Sequence, residues 1–413
     1  MSMRTLAWLT IALAIGASGV ASAQQQPRNG LSQSPTGAYL AGRYANRVSD
    51  YAAGVAYIDR ALALNPNDKA MQFLAFRMRI AAGKFASAME LAPRISEGFP
   101  QDPIAPLALA IEAARKKDYT GAEKALARIP SSQQLGFMRP YLLAWVKVGQ
   151  KDYAAAMASL ESSAPQGQGG KPSAVYLLHA GLVDEIAGRK EEALKKLTEA
   201  YGAPDAATVR VAMALAAFHR RNGKPDEAQK LMRAFHERAP EFAPLDALVN
   251  DRFQRLPTVT DGMAEVLFDV FAALAANAGR SESLEDAAVL FGRMTLELRP
   301  DYDLARILLG DLFAQNEQQA TAIDVYRGID KNSPFWTGSM RRRPWATSCA
   351  GANVSPTRPK PMTSPWRAWS SPPRATGRSI TRTASPWNAP ANGRRARLPS
   401  ARRSSCSPTS PMC

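Results

Sequence analysis

The chain has 413 residues, 46% of them hydrophobic and 21% charged, with a formal net charge of +16, three cysteines and three histidines. No segment after the N-terminal run offers ~18 consecutive apolar residues, which excludes an internal helical membrane span, and cysteines confined to Cys349, Cys406 and Cys413 exclude a disulfide framework before them. His179, His219 and His236 fall on different predicted helices at no ligand spacing, so neither a metal nor a cofactor is expected.

In chain order, the first element is a leader. Met1 to Arg4 supply positive charge, Leu6 to Val20 form a short apolar run, and Ala21-Ser22-Ala23 stands before three glutamines. These are the parts of a secretory signal peptide, residues 1–23. Cleavage after Ala23 is expected, which makes the mature chain exported, periplasmic or secreted. Residues 24–34 read as a flexible linker.

A period then takes over. Tyr51, Phe85, Tyr119 and Tyr153 stand 34 residues apart, and three residues after each comes a small one: Gly54, Ala88, Ala122 and Ala156. Pro66 and Pro100, and again Pro300 and Pro334, repeat the interval and mark helix ends. Such a period belongs to helix pairs that bury their apolar faces only by stacking on neighbours. The pattern resembles the tetratricopeptide repeat (TPR) family, in which Gly is asked for at the eighth position of a unit, an aromatic, two alanines and a proline following at set places. Gly42, Gly181 and Gly310 fit the eighth position, and Ala193, Ala228, Ala288 and Ala322 carry the small contact onward.

The resemblance implies an all-α fold, a right-handed superhelical solenoid of antiparallel helix pairs. Units start near Pro35, Lys69, Pro103, Phe137, Ala174, Val209, Asp269 and Asp303, giving an N-terminal array over 35–240 and further repeats over 263–336. The stretch 241–262 fits no unit and reads equally as a hinge or a degenerate repeat. Gly167 to Ser173 has the look of a phosphate loop, but Pro172 stands where a metal-binding hydroxyl belongs and no strand precedes it. No nucleophile has a recognisable base beside it, so an enzyme is not expected.

What the TPR resemblance implies is a concave groove lined by the first helix of each unit. Carried over, its inward positions in the first four units include Tyr39, Arg43 and Asn46, then Phe73 and Arg77, then the apolar Ile104, Leu107 and Ile111, then Tyr141 and Trp145. Arg43 and Arg77, at equivalent positions, suit a carboxylate, and the aromatics suit apolar side chains of a peptide. The same aromatics also suit packing between units, a role that fits Phe73 best and leaves Trp145 open. The expected partner is a protein or peptide.

The last element is the tail, 337–413. No acidic residue follows Asp330, while thirteen arginines and Lys360 supply fourteen of the sixteen net charges, so the array itself is nearly neutral. Its Pro, Ser, Arg, Thr and Trp carry no periodicity, and on composition it is disordered. Taken as a functional arm it would bind anions or nucleic acid. Read one base out of frame, however, acidic residues return: Met362-Thr363 must give Asp, and Trp387-Asn388 must give Glu. A frameshifted tail is therefore expected, with no nucleic-acid partner. The last unit is then unfinished, which favours self-association there or an accessory region of a larger envelope enzyme or export machine.

Overall fold

The computed structural model describes residues 34–130, 136–162, 172–203, 209–238, 255–331 and 333. The expected leader, the tail, Pro334, most of the Gly167–Ser173 loop and residues 241–254 of the hinge lie outside them. Among the described residues there are seventeen α-helices and no strand element. They run α1 (Pro35–Arg47), α2 (Tyr51–Leu64), α3 (Lys69–Ala81), α4 (Phe85–Met89), α5 (Ala92–Gly98), α6 (Ile104–Arg115), α7 (Tyr119–Leu126), α8 (Arg139–Gly149), α9 (Tyr153–Glu161), α10 (Ala174–Ile186), α11 (Lys190–Gly202), α12 (Val209–Arg221), α13 (Pro225–Arg238), α14 (Val259–Asn277), α15 (Glu282–Leu298), α16 (Asp303–Gln315) and α17 (Gln319–Arg327). Consecutive helices pair, and the first six pairs stack in order, as the eighth does on the seventh, so the fold is an all-α, TPR-like solenoid.

Local chemistry explains the register. Tyr51, Phe85, Tyr119 and Tyr153 each open the second helix of a unit. In three of these units the preceding aspartate, Asp50, Asp118 or Asp152, is the N-cap, its carboxylate accepting a backbone N–H of the first turn. In every unit but the seventh the turn before the second helix carries one left-handed residue: Ser49, Gly83, Lys117, Lys151, Gly188, Gly223 and Glu317 have φ between 56° and 80°. Each lies two residues before a second helix. The next residue's N–H then reaches back over the end of the first helix, as Asp118 N to Ala113 O at 2.9 Å and Asp152 N to Lys147 O at 3.0 Å.

Small residues stand where helices cross. At Gly42, Gly181 and Gly310 a Cβ would come within 2.5, 2.8 and 2.4 Å of Ile58, Leu197 and Tyr326 on the second helix of the same unit. Ala88, Ala122, Ala156, Ala193, Ala288 and Ala322 are completely buried. The second helix of unit two is broken into α4 and α5, because Pro93 has no N–H to continue the ladder and its ring opposes the carbonyl four residues back.

The largest departure from the sequence expectation concerns the seventh unit. Its first helix begins at Val259 rather than near Asp269, so residues 259–262 belong to a helix and not to a hinge. Thr258 and Asp261 form a reciprocal capping box that fixes this start. Helices α14 and α15, 19 and 17 residues long, form a hairpin that leaves the line of the stack. It packs against α3, α6 and α8, the first helices of units two, three and four.

Candidate peptide groove

The concave side of units two to four is therefore occupied by the chain itself. α14 is apolar nearly all round, with only Asp261, Glu265 and Asp269 charged, and such a helix must be covered on more than one side. Met263, Leu267 and Phe271 are fully buried, as are Leu107 and Ile111 of α6. Trp145 is 0% exposed, and Gly262 crosses it so closely that a Cβ would lie 1.9 to 2.3 Å from its ring atoms. Both positions are set by the fit of that one helix to the array.

The residues expected to line an open groove have specific neighbours. Arg43 donates to the Tyr39 hydroxyl at 3.1 Å, its guanidinium 5.8 Å from the centre of that ring, and remains exposed. Asn46 donates to Asp286 of α15 at 3.2 Å. Phe73 packs on Phe99, ring centres 4.7 Å apart, and Arg77 lies over Phe73 while pairing with Asp102 at 3.2 Å. Arg43 and Arg77 thus have different partners and do not converge. Tyr141 stacks edge-on to His179, and the Trp145 indole N–H donates to His179 Nδ1 at 3.1 Å.

A polar seam runs along this contact. His179 is fully buried. Because Nδ1 accepts from Trp145, its proton sits on Nε2, 3.9 Å from Asp269 Oδ2. The acids of α14 stand four residues apart on one face, and arginines meet each: Arg210 with Asp269 at 2.6 Å, Arg299 with Glu265 at 3.0 Å, Arg255 with Asp261 at 2.5 Å. Burial pushes the Asp269 carboxyl up, but Arg210 and His179 outweigh it and hold the group below the usual range. Tyr302 donates to Glu265 at 2.7 Å, and burial first, then that carboxylate, raises its phenol well above the ordinary value. The one available sequence signal was the four-residue spacing of acids in an otherwise apolar stretch.

A cleft of about 100 Å³ stays open beside this seam. Leu178 and Leu182 of α10 and Met213, Ala214 and Ala217 of α12 give it an apolar wall, with Arg255 and Asp301 among the charged groups opposite. These helices are the first helices of units five and six, so the cleft continues the concave side past the hairpin. Among the described residues no group of three or more His, Cys, Asp or Glu side chains is placed to hold a metal ion. No described helix is long and apolar enough to cross a membrane.

Residues 77–266 match the family described as T7SS, ESX-1 secretion system protein EccA1, N-terminal domain, a stretch that runs from α3 into α14 and takes in less than half of the chain. No curated protein matches the sequence. Among solved structures, the chain is similar to Naa15/Naa10 bound to HypK-THB, at 13% identity and a TM-score of 0.34, with 75% of this chain and 55% of that one covered. It spans little more than half the length of that protein. It is also similar to the TPR domain of P58(IPK), at 13% identity and a TM-score of 0.23 over 75% of this chain and 90% of that one. For the yeast Tom70 the values are 14% and 0.21, over 77% and 89%. Superpositions at this level add no weight, and the TPR-like fold rests on the pairing and period of the helices themselves.

Proposed function

We propose that the chain is a non-enzymatic protein-interaction scaffold that receives a short peptide segment in the cleft formed by α10, α12 and the start of α14. The observation that supports this is the division of the concave side: units two to four are filled by the α14–α15 hairpin, whereas a cleft of about 100 Å³ remains against the apolar wall of units five and six, beside exposed Arg255 and its partner Asp261. An apolar strip with a cation at its edge suits an extended peptide carrying one or two apolar side chains and a carboxylate. Tyr39 and Arg43 stay at the accessible rim, while Tyr141 and Trp145 serve the interior.

The test is selection of random displayed peptides on the mature chain, followed by Ala214→Arg, which fills the cleft from a half-buried position. Selected peptides should bind this variant at least tenfold more weakly with helicity unchanged. Full retention by all of them would place binding elsewhere.

A second reading, an accessory region of a larger export machine, draws on the name of the matched family, which is that of an N-terminal domain in a secretion system protein. Export through residues 1–23 and a frameshift ahead of the tail belong to the same proposal. The gene sequence past Cys413 tests it: repeats and further domains in the restored frame support it, and an intact frame with an expressed tail removes it.

A further inference from the structure

The first helix of the stack presents a face that its counterparts bury. Leu40 and Tyr44 of α1 are 60% and 67% exposed, and Val48 just beyond is 37% exposed. At the place of Tyr44, later first helices carry Met78, Val146, Val183, Phe218 and Leu312, all buried; Glu112 of unit three is the polar exception. In units two to six and unit eight, the second helix of the preceding unit packs on the first helix. For Met78 the cover is α2, whose Gly54 lies so close that a Cβ would meet the methionine methyl at 2.3 Å.

Charge says what kind of helix fits. Cations beside the stripe meet acids: Arg79, one place past Met78, pairs with Asp59 of α2 at 3.0 Å and Lys147 with Glu123 of α7 at 2.7 Å, while Arg77, the counterpart of Arg43, pairs with Asp102 beyond its own helix pair. α1 contains no acidic residue and sets Arg43 and Arg47 among its exposed apolar side chains. Arg43 turns back on Tyr39, and Arg47 has no hydrogen bond or ion pair among the described residues. A second copy of α1 would bring like charges together, and a basic helix would do the same.

We propose that the Leu40–Tyr44–Val48 stripe is a docking surface for an acidic amphipathic helix of a partner protein, which lies on α1 as α2 lies on α3 and extends the stack by one helix. The apolar stripe supplies contact area, and Arg43 and Arg47 select the sign of the partner's charge. This surface is separate from the α10–α12 cleft.

The full chain is titrated against a fluorescein-labelled, stapled helix copying Tyr51–Leu64 with Arg60→Glu, and against a control copy with Asp59→Lys that keeps Arg60, reading anisotropy at low ionic strength. The acidic helix is expected to saturate, with the control at least tenfold weaker. Tyr44→Glu and Arg47→Glu, both exposed and therefore tolerated by the fold, should each weaken the acidic helix at least tenfold at unchanged circular dichroism. Absence of saturation up to millimolar helix, equal binding of the two helices, or indifference to both variants overturns the proposal. A sedimenting dimer that Tyr44→Glu dissolves also overturns it, by giving the face to a second copy. Ala214→Arg should leave this binding untouched, so the cleft and the α1 face stand or fall separately.

Discussion

Gly262→Ala tests the self-filled groove most directly. An alanine in place of glycine inside a helix ordinarily stabilises by about 1 kcal/mol. Here the new methyl would sit 1.9 to 2.3 Å from three ring atoms of Trp145, which is fully buried and hydrogen-bonded to His179, so the ring has no free space to move into. Overpacking of this kind costs about 1–3 kcal/mol, and a contact this short belongs at the upper end, leaving a net loss of about 2 kcal/mol. Trp145→Ala alone removes a large buried side chain and should cost about 3–5 kcal/mol. In the double variant the methyl enters the space left by the indole, so the two losses should fall short of their sum by at least about 1 kcal/mol. Urea unfolding followed by far-ultraviolet circular dichroism gives all three values. Additivity within about 0.5 kcal/mol, or a stabilised Gly262→Ala, would mean that α14 does not cross Trp145 and that the groove is open.

Lys117 is held at φ 61°, a conformation glycine adopts without steric penalty, so Lys117→Gly should raise stability by about 0.5–1 kcal/mol in thermal melts, whereas the same change at right-handed Lys116 should lower it. Arg210→Met leaves Asp269 and Glu265 without their shared cation and should cost about 3 kcal/mol or more in urea unfolding, with Arg210→Lys recovering part of it. Glu285 accepts from two neutral donors, Ser49 and Asn316, and lies beside Asp286; burial, and less strongly that neighbouring carboxylate, raises its pKa. A raised acid favours the folded state below its folded pKa, so this contribution should be lost as pH rises from the ordinary glutamate value of 4.5 through the raised one, and Glu285→Gln should flatten that slope in denaturant midpoints measured across pH 4–7.

The helix pairs and their boundaries were legible because each depends on a few neighbouring residues. The aromatic at the start of a second helix, its capping aspartate, the glycine at the crossing and the proline two residues after α2, α5 and α15 are all local marks. The left-handed turn residue was hidden, since Ser49, Lys117, Lys151 and Glu317 share a conformation and no chemistry with Gly83, Gly188 and Gly223. The hairpin was missed for a different reason. A period says which units are neighbours along the stack, and nothing about a segment that returns across it, so the spacing leaves Trp145 open between groove and packing although Gly262 of α14 crosses it. The apolar circumference of α14 is the local mark of that return, and it begins ten residues before Asp269. His179, Arg210 and Arg299 come together from three units, and no spacing announces such a meeting.

The hairpin also joins the ends of the stack. Tyr51 donates to Asp286 at 2.8 Å and faces Phe313 edge-on, Arg293 donates to the Ala81 carbonyl at 3.0 Å, and Gln318 reaches the Val48 carbonyl at 2.6 Å. These bonds span 212 to 270 residues of sequence. An open repeat array unravels from its ends, unit by unit, because each unit knows only its neighbours. Here the first unit cannot loosen without releasing the last, so unfolding becomes a single concerted event and refolding must wait for the most distant part of the chain to arrive.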